Sequence, residues 1–235
     1  MSAAVVTSSS GAATAAEVIQ SHGWWLASRA SGLVALVLVT ASVFLGLTMA
    51  GKVMRRPGLS KKLMGLHEQT ALAGLVAIAV HGIALLGDPW LHPGIGGIVV
   101  PFATSFKTAF TGLGIVGGYL AALLGLSYYV RRRIGAKLWR KAHRATVVVW
   151  LLGLVHALGA GTDATAVWFR WWVLLTTPVI GGLFVYRLTR PRPRPRASAP
   201  AAEASRRRGL PLAEAAPPRA RLLGTGSQKP VFEEG

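Results

Sequence analysis

Four of the six histidines in this 235-residue chain lie in long apolar stretches. His67 and His81 share one stretch, 14 residues apart, and His143 and His156 share another, 13 residues apart. Imidazole is both ionisable and a common metal ligand, and burying it in hydrocarbon is costly, so a histidine inside a membrane helix reads as functional by default. At about 1.5 Å of rise per helical residue each pair spans roughly 20 Å along its axis. Two such helices side by side bring one imidazole pair near each surface of a bilayer whose hydrocarbon is about 30 Å thick. Opposed histidines at two depths are a bis-histidine haem layout, two stacked groups able to relay single electrons. Cysteine is absent, which excludes disulfides, thiolate catalysis, iron–sulfur clusters and covalently attached c-type haem. The expected cofactor is therefore haem b, two per chain, with His67, His81, His143 and His156 as iron ligands.

The elements that must position these ligands are membrane helices. Apolar residues make up 52% of the chain and charged residues only 14%, which excludes an ordinary soluble domain. Five stretches, about 24–50, 64–87, 109–130, 143–162 and 168–188, are long and apolar enough to span. The fold expected is all-α integral membrane, a five-helix transmembrane bundle over 24–188 in the lipid bilayer of an inner or plasma membrane. A net charge of +18 invites a nucleic-acid reading, which is rejected because the cations flank the apolar stretches or sit in the tail. Lys52, Arg55, Arg56, Lys61 and Lys62 lie in one connection, and Arg131, Arg132, Arg133, Lys137, Arg140, Lys141 and Arg144 in another. The positive-inside rule makes both cytoplasmic, the N-terminus external and the C-terminus cytoplasmic.

Residues 1–23, rich in Ser, Ala and Thr, read as a disordered extracytoplasmic segment without the features of a cleavable signal peptide. Residues 189–235, with alternating Arg and Pro from Arg190 to Arg196, read as a disordered basic cytoplasmic tail. No internal repeat is visible beyond the paired histidines.

This orientation puts His67 and His143 near the cytoplasmic face and His81 and His156 near the outer one. A step of 14 residues returns to within roughly 40° of the starting face, whereas 13 residues land about 140° away on an ideal helix. Supercoiling, a local distortion near Gly153, or a haem approached from a different side each remain open. Trp150 lies seven residues after His143 and Gly74 seven after His67, on nearly the face of their histidines, so Trp150 is expected to pack between the two haems.

Leu66-His67 through His81, Arg140 through His156, and Ala160-Gly161-Thr162-Asp163, with Arg29-Ala-Ser-Gly32 as a looser match, resemble the ferric reductase-like transmembrane domain family. That family includes ferric reductases, the NADPH oxidase haem domain and the haem-binding subunit of methionine sulfoxide reductase. The resemblance implies electron transfer from cytoplasm to exterior, with His67 and His143 on an inner haem and His81 and His156 on an outer one. Unlike the large reductases, the tail carries no Gly-rich phosphate turn in a βαβ context. The expected donor is thus a separate flavoprotein, a flavin carrier or a membrane quinol, and the expected acceptor is an extracytoplasmic ferric complex or a partner reductase.

Arg29 and Arg170 on the outer side, and Arg144 and Lys62 on the inner side, are candidates to pair with haem carboxylates, against plainer roles as interfacial anchors. His22 and His92 fall outside the spans and read as surface residues, although His92 with Asp88 or Asp163 could attract a ferric complex. The apolar run from Ile95 to Phe102 is too short to span and is expected in the outer interface. Two rivals remain. One is a haem-binding membrane subunit serving a separate periplasmic reductase or flavoprotein. The other is a non-redox transporter or scaffold, which predicts a colourless protein.

Overall fold

A computed structural model describes residues 15–51 and 58–189. Among these the chain is entirely helical: α1 (Ala15–Ala50), α2 (Leu59–Ala84), α3 (Gly94–Val99), α4 (Thr108–Ile134), α5 (Ala136–Ala142), α6 (Thr146–Ala160) and α7 (Val167–Thr189). A 3-10 turn, Leu85–Gly87, extends α2, and another, His143–Ala145, joins α5 to α6. Five segments are long and apolar enough to cross a membrane: His22–Ala50, Leu59–Gly87, Thr108–Ile134, Ala136–Ala160 and Val167–Thr189. In hydrocarbon a helix satisfies every backbone polar group within itself, so this is the form that five such segments must take.

The surface supports the membrane assignment. Val76, Leu123, Leu174 and Leu175 are each more than 60% exposed, and similar side chains cover the outside of every long helix. Such a skin is unfavourable in water and natural against lipid.

Two helical hairpins organise the bundle. α1 packs most closely on α2, and α4 on α6, while α7 lies against α1. Small residues allow these approaches: Gly74 of α2 meets Val39 and Leu38 of α1, and Gly117 of α4 meets Leu152 of α6. The core joins α1, α6 and α7 through Val43, Leu47, Trp150, Leu154 and Ile180. Between α4 and α5 the chain turns at Gly135, whose φ of 89° favours glycine.

Two sequence expectations change. The stretch 1–23 does not stay irregular to its end, because α1 already begins at Ala15. Ala15-Ala-Glu-Val-Ile-Gln20 is rich in good helix formers, and extending an existing helix avoids a new nucleation step. The fourth span does not start as a continuous α-helix at residue 143. α5, the 3-10 turn and α6 together occupy residues 136–160. The run from Ile95 to Phe102 is, as expected, too short to cross: only the six-residue α3, Gly94–Val99, lies there. Residues 1–14, the connection 52–57 with Lys52, Arg55 and Arg56, and the tail from 190 lie outside the described residues.

Candidate metal centres

α2 bears His67 and His81, the 3-10 turn before α6 bears His143 and α6 bears His156; α2 and α6 each pack mainly on a different helix, and the imidazoles meet between them. The His67 and His143 rings face each other with centroids 6.1 Å apart. His81 and His156 do so at 6.0 Å. A ligating imidazole nitrogen sits about 2 Å from its metal and the ring centre roughly 1 Å further back, so two rings opposed across one ion have centroids about 6 Å apart. Both gaps therefore have the width of a single metal ion. Among the described residues no group of three or more His, Cys, Asp or Glu side chains comes together. Each candidate centre thus offers two imidazoles, a donor set that suits a metal held also by a cofactor of its own.

The second ring nitrogen explains how the pairs are aimed. His81 Nδ1 donates to the Ser28 carbonyl at 2.8 Å, His67 Nδ1 to the Ser42 carbonyl at 2.9 Å, and His156 Nδ1 to the Phe110 carbonyl at 2.9 Å. With the proton held at Nδ1, Nε2 keeps its lone pair for a metal, which is how outer partners fix a ligand's tautomer and plane. The Ser28 and Ser42 hydroxyls also lie 3.0 and 3.1 Å from these nitrogens. Ser28 Oγ in addition donates to the His81 carbonyl at 3.2 Å.

These contacts reveal a repeat that was not seen in the sequence. Ser28 and Ser42 are 14 residues apart on α1, as are His67 and His81 on α2. Antiparallel packing pairs Ser28 with His81 and Ser42 with His67. Four residues beyond each serine stands a glycine against the same imidazole. A Cβ at Gly32 would come 2.9 Å from His81 Nδ1, and one at Gly46 would come 3.3 Å from His67 Cε1. α4 repeats the device once, with Phe110 accepting from His156 and Gly114 leaving room for its ring. Each glycine is a cradle that a methyl group would fill.

The local distortion within the 13-residue spacing lies at His143, while α6 runs unbroken through Gly153. His143 opens the 3-10 turn, where each residue turns about 120° instead of the about 100° of an α-helix. Three such steps reduce the offset from about 140° to about 80°, which swings His143 toward α2.

Trp150 is buried and its Nε1 donates to Thr40 Oγ1 at 3.0 Å. The indole thus ties α6 to α1 midway in register between the two histidine levels, in the α1–α6–α7 core. Arg29 forms a two-point ion pair with Asp163, through Nε at 2.8 Å and through Nη2, and its guanidinium lies 5.2 Å from the Trp25 ring. Asp163 is buried, and the Arg29 hydrogen bonds hold its carboxyl below the usual carboxylate range. Asp88 is also engaged, accepting from the Trp90 and Leu91 amides. His92 is exposed, and Arg170 donates to the Ala164 carbonyl at 3.4 Å. Arg144 is exposed beside His143, within electrostatic reach of Arg187 on α7. A small apolar cavity lined by Leu33, Leu36, Val37, Trp168, Phe169 and Trp172 lies between α1 and α7, away from the histidines, and holds no polar group for chemistry.

Against known proteins, the family described as ferric reductase like transmembrane component matches residues 31–154. The match takes in His67, His81 and His143 and stops two residues short of His156. No curated protein and no solved structure matches the chain.

Proposed function

Starting from the fact that this chain belongs to the ferric reductase-like transmembrane family, we propose that it carries single electrons across the membrane by way of two b haems. One sits between His67 and His143 and the other between His81 and His156. The observation that carries this reading is the matched separation of the two ring pairs, 6.1 and 6.0 Å, together with the glycines that clear space beside three of the four rings. When bound, the haems supply the one-electron redox couple.

The chain's own residues do the rest. Ser28, Ser42 and Phe110 hold the proton on Nδ1 of three ligands and fix their planes. The apolar helices exclude water, which removes competing protonation and keeps ligation tight. Arg144 and Arg187, close to one another at the basic end, would neutralise haem carboxylates there. Trp150 fills the level between the sites and keeps α1 and α6 at fixed separation.

Orientation follows from charge. The end bearing Lys61, Lys62, Arg131–Arg133, Lys137, Arg140, Lys141 and Arg144 is assigned to the cytoplasm. The donor is then a flavoprotein, a flavin carrier or a quinol presented there, and outward electron flow gains about 2.3 kcal/mol per 100 mV of inside-negative potential. As acceptor we favour a partner reductase over a ferric complex bound by this chain, because Asp88 and Asp163 are already committed to the turn after Asp88 and to Arg29. The protein is in that case the haem-binding membrane subunit of an oxidoreductase.

The test is purification from haem-replete cells, followed by a pyridine haemochrome assay and low-temperature spectra. The expected result is about two acid-extractable, low-spin b haems per chain. Colourless protein would overturn the proposal in favour of a transporter or scaffold.

A further inference from the structure

Three of the four histidines hold their Nδ1 proton on a backbone carbonyl at 2.8 to 2.9 Å, and the fourth is held more loosely. His143 Nδ1 is buried and makes no hydrogen bond of ordinary geometry. Its backbone partner is the Leu124 carbonyl, 14 residues after the Phe110 carbonyl that serves His156. A weaker bond fixes the plane of an imidazole less firmly, and the direction of its metal-binding nitrogen with it.

An aromatic ring adds what the carbonyl supplies only weakly. Trp139 stacks on His143 with centroids 4.7 Å apart and planes 22° from parallel, the offset-stacked arrangement that aromatic pairs favour. The two residues are four apart, one above the other where α5 runs into the 3-10 turn. The indole is itself anchored. Its Nε1 donates to Ser127 Oγ at 3.1 Å, and Tyr128 packs on it at 5.9 Å beneath the Arg131 guanidinium, 3.9 Å from the tyrosine ring centre. Ser127, Tyr128 and Arg131 all belong to α4, as Leu124 does, so α4 fixes the ligand chiefly through the indole.

We propose that Trp139 is the positioning residue for His143: its stacked indole sets the plane of this one ligand and couples the surface helix α5 to the iron site at the basic end. Every residue of α5 other than Trp139 is exposed, so that helix is the part of the site a donor would meet first.

This inference rests on the two-haem reading, and its test separates the two. Low-spin electron paramagnetic resonance signals and a two-component redox titration are recorded on the wild type, on His143→Ala and His156→Ala to assign each site, and on Trp139→Leu, Trp139→Phe and Ser127→Ala. Trp139→Leu should broaden or abolish the signal assigned through His143 and shift that site's potential, while the other site keeps both. Trp139→Phe should restore the signal, because a ring suffices for the stack. Ser127→Ala should broaden the same signal alone, and it decides the matter should Trp139→Leu fail to accumulate. An unchanged signal in Trp139→Leu, equal effects of Leu and Phe, or equal disturbance of both sites would overturn the proposal. Wild-type protein without haem would instead overturn the function on which it rests.

Discussion

At the scale of single residues, the glycines beside the histidines give the sharpest graded expectation. His81 Nδ1 is bound to the Ser28 carbonyl and lies beside its hydroxyl, so the ring cannot swing away from a methyl group at Gly32 without breaking those contacts. At Gly46 the nearest imidazole atom is 3.3 Å from the would-be Cβ, against 2.9 Å at Gly32, and a shift of a few tenths of an ångström relieves it. Gly32→Ala should therefore lower haem content or broaden the low-spin spectrum of the site shared by His81 and His156, and Gly46→Ala should disturb the other site less. Ser28→Ala should be milder than Gly32→Ala, because the carbonyl that holds Nδ1 remains. Haem per chain and low-spin absorbance measure all three. If Gly46→Ala proved the more damaging, the glycines would be packing residues of α1 and not cradles for the ligands.

Among the elements, the Arg29–Asp163 pair ties α1 to the loop between α6 and α7, one residue from the serine that aims His81. The two partners are unequal: the Asp163 side chain is 8% exposed and that of Arg29 is 39% exposed. Arg29→Ala leaves a buried carboxylate unpaired, whereas Asp163→Asn leaves a guanidinium that water and headgroups can solvate. The first should cost more, on the order of 1–2 kcal/mol after solvent screening of the exposed partner. Because pairing depresses the Asp163 pKa, its contribution is present in full above the unfolded value of about 3.9 and is lost as pH falls through the lower folded value. Thermal unfolding in detergent should show a wild-type advantage over Arg29→Ala that is constant near neutrality and closes only in acid below about pH 4. Closure between pH 6 and 7 would mean that another group is responsible. This clamp was not legible in the sequence, since Arg29 and Asp163 are 134 residues apart and nothing local pairs them. The five spans were legible, because hydrophobic length alone determines them, and so was the 14-residue step from His67 to His81. The Ser-x-x-x-Gly repeat on α1 escaped notice because serine and glycine are ordinary packing residues in membrane helices. The 3-10 turn at His143 escaped because a one-turn change of helix type leaves composition untouched.

For the whole molecule, the decisive asymmetry is charge. The segments around Lys61 and from Arg131 to Arg144 gather most cations of the described residues at one end, while the other end carries Asp88, the Arg29–Asp163 pair, Lys107 and Arg170. The antiparallel register of α1 on α2 puts His67 at the basic end and His81 at the other, so side of the membrane and histidine pair are a single question. Donor and acceptor are assigned correctly only if the basic end is cytoplasmic. The sequence supplies a clean background for asking, because it contains no cysteine. A thiol placed at Ser105, exposed in the connection before α4, or at Ala136, exposed at the start of α5, is then the only one present, and neither site touches a histidine or its partners. Ser105→Cys should react with a membrane-impermeant maleimide in intact cells. Ala136→Cys should stay silent there and react in inside-out vesicles, with haem content in both variants equal to that of the wild type. The opposite labelling would invert the bundle, place the His67 and His143 pair at the outer surface, and require the electron donor on the side now assigned to the acceptor.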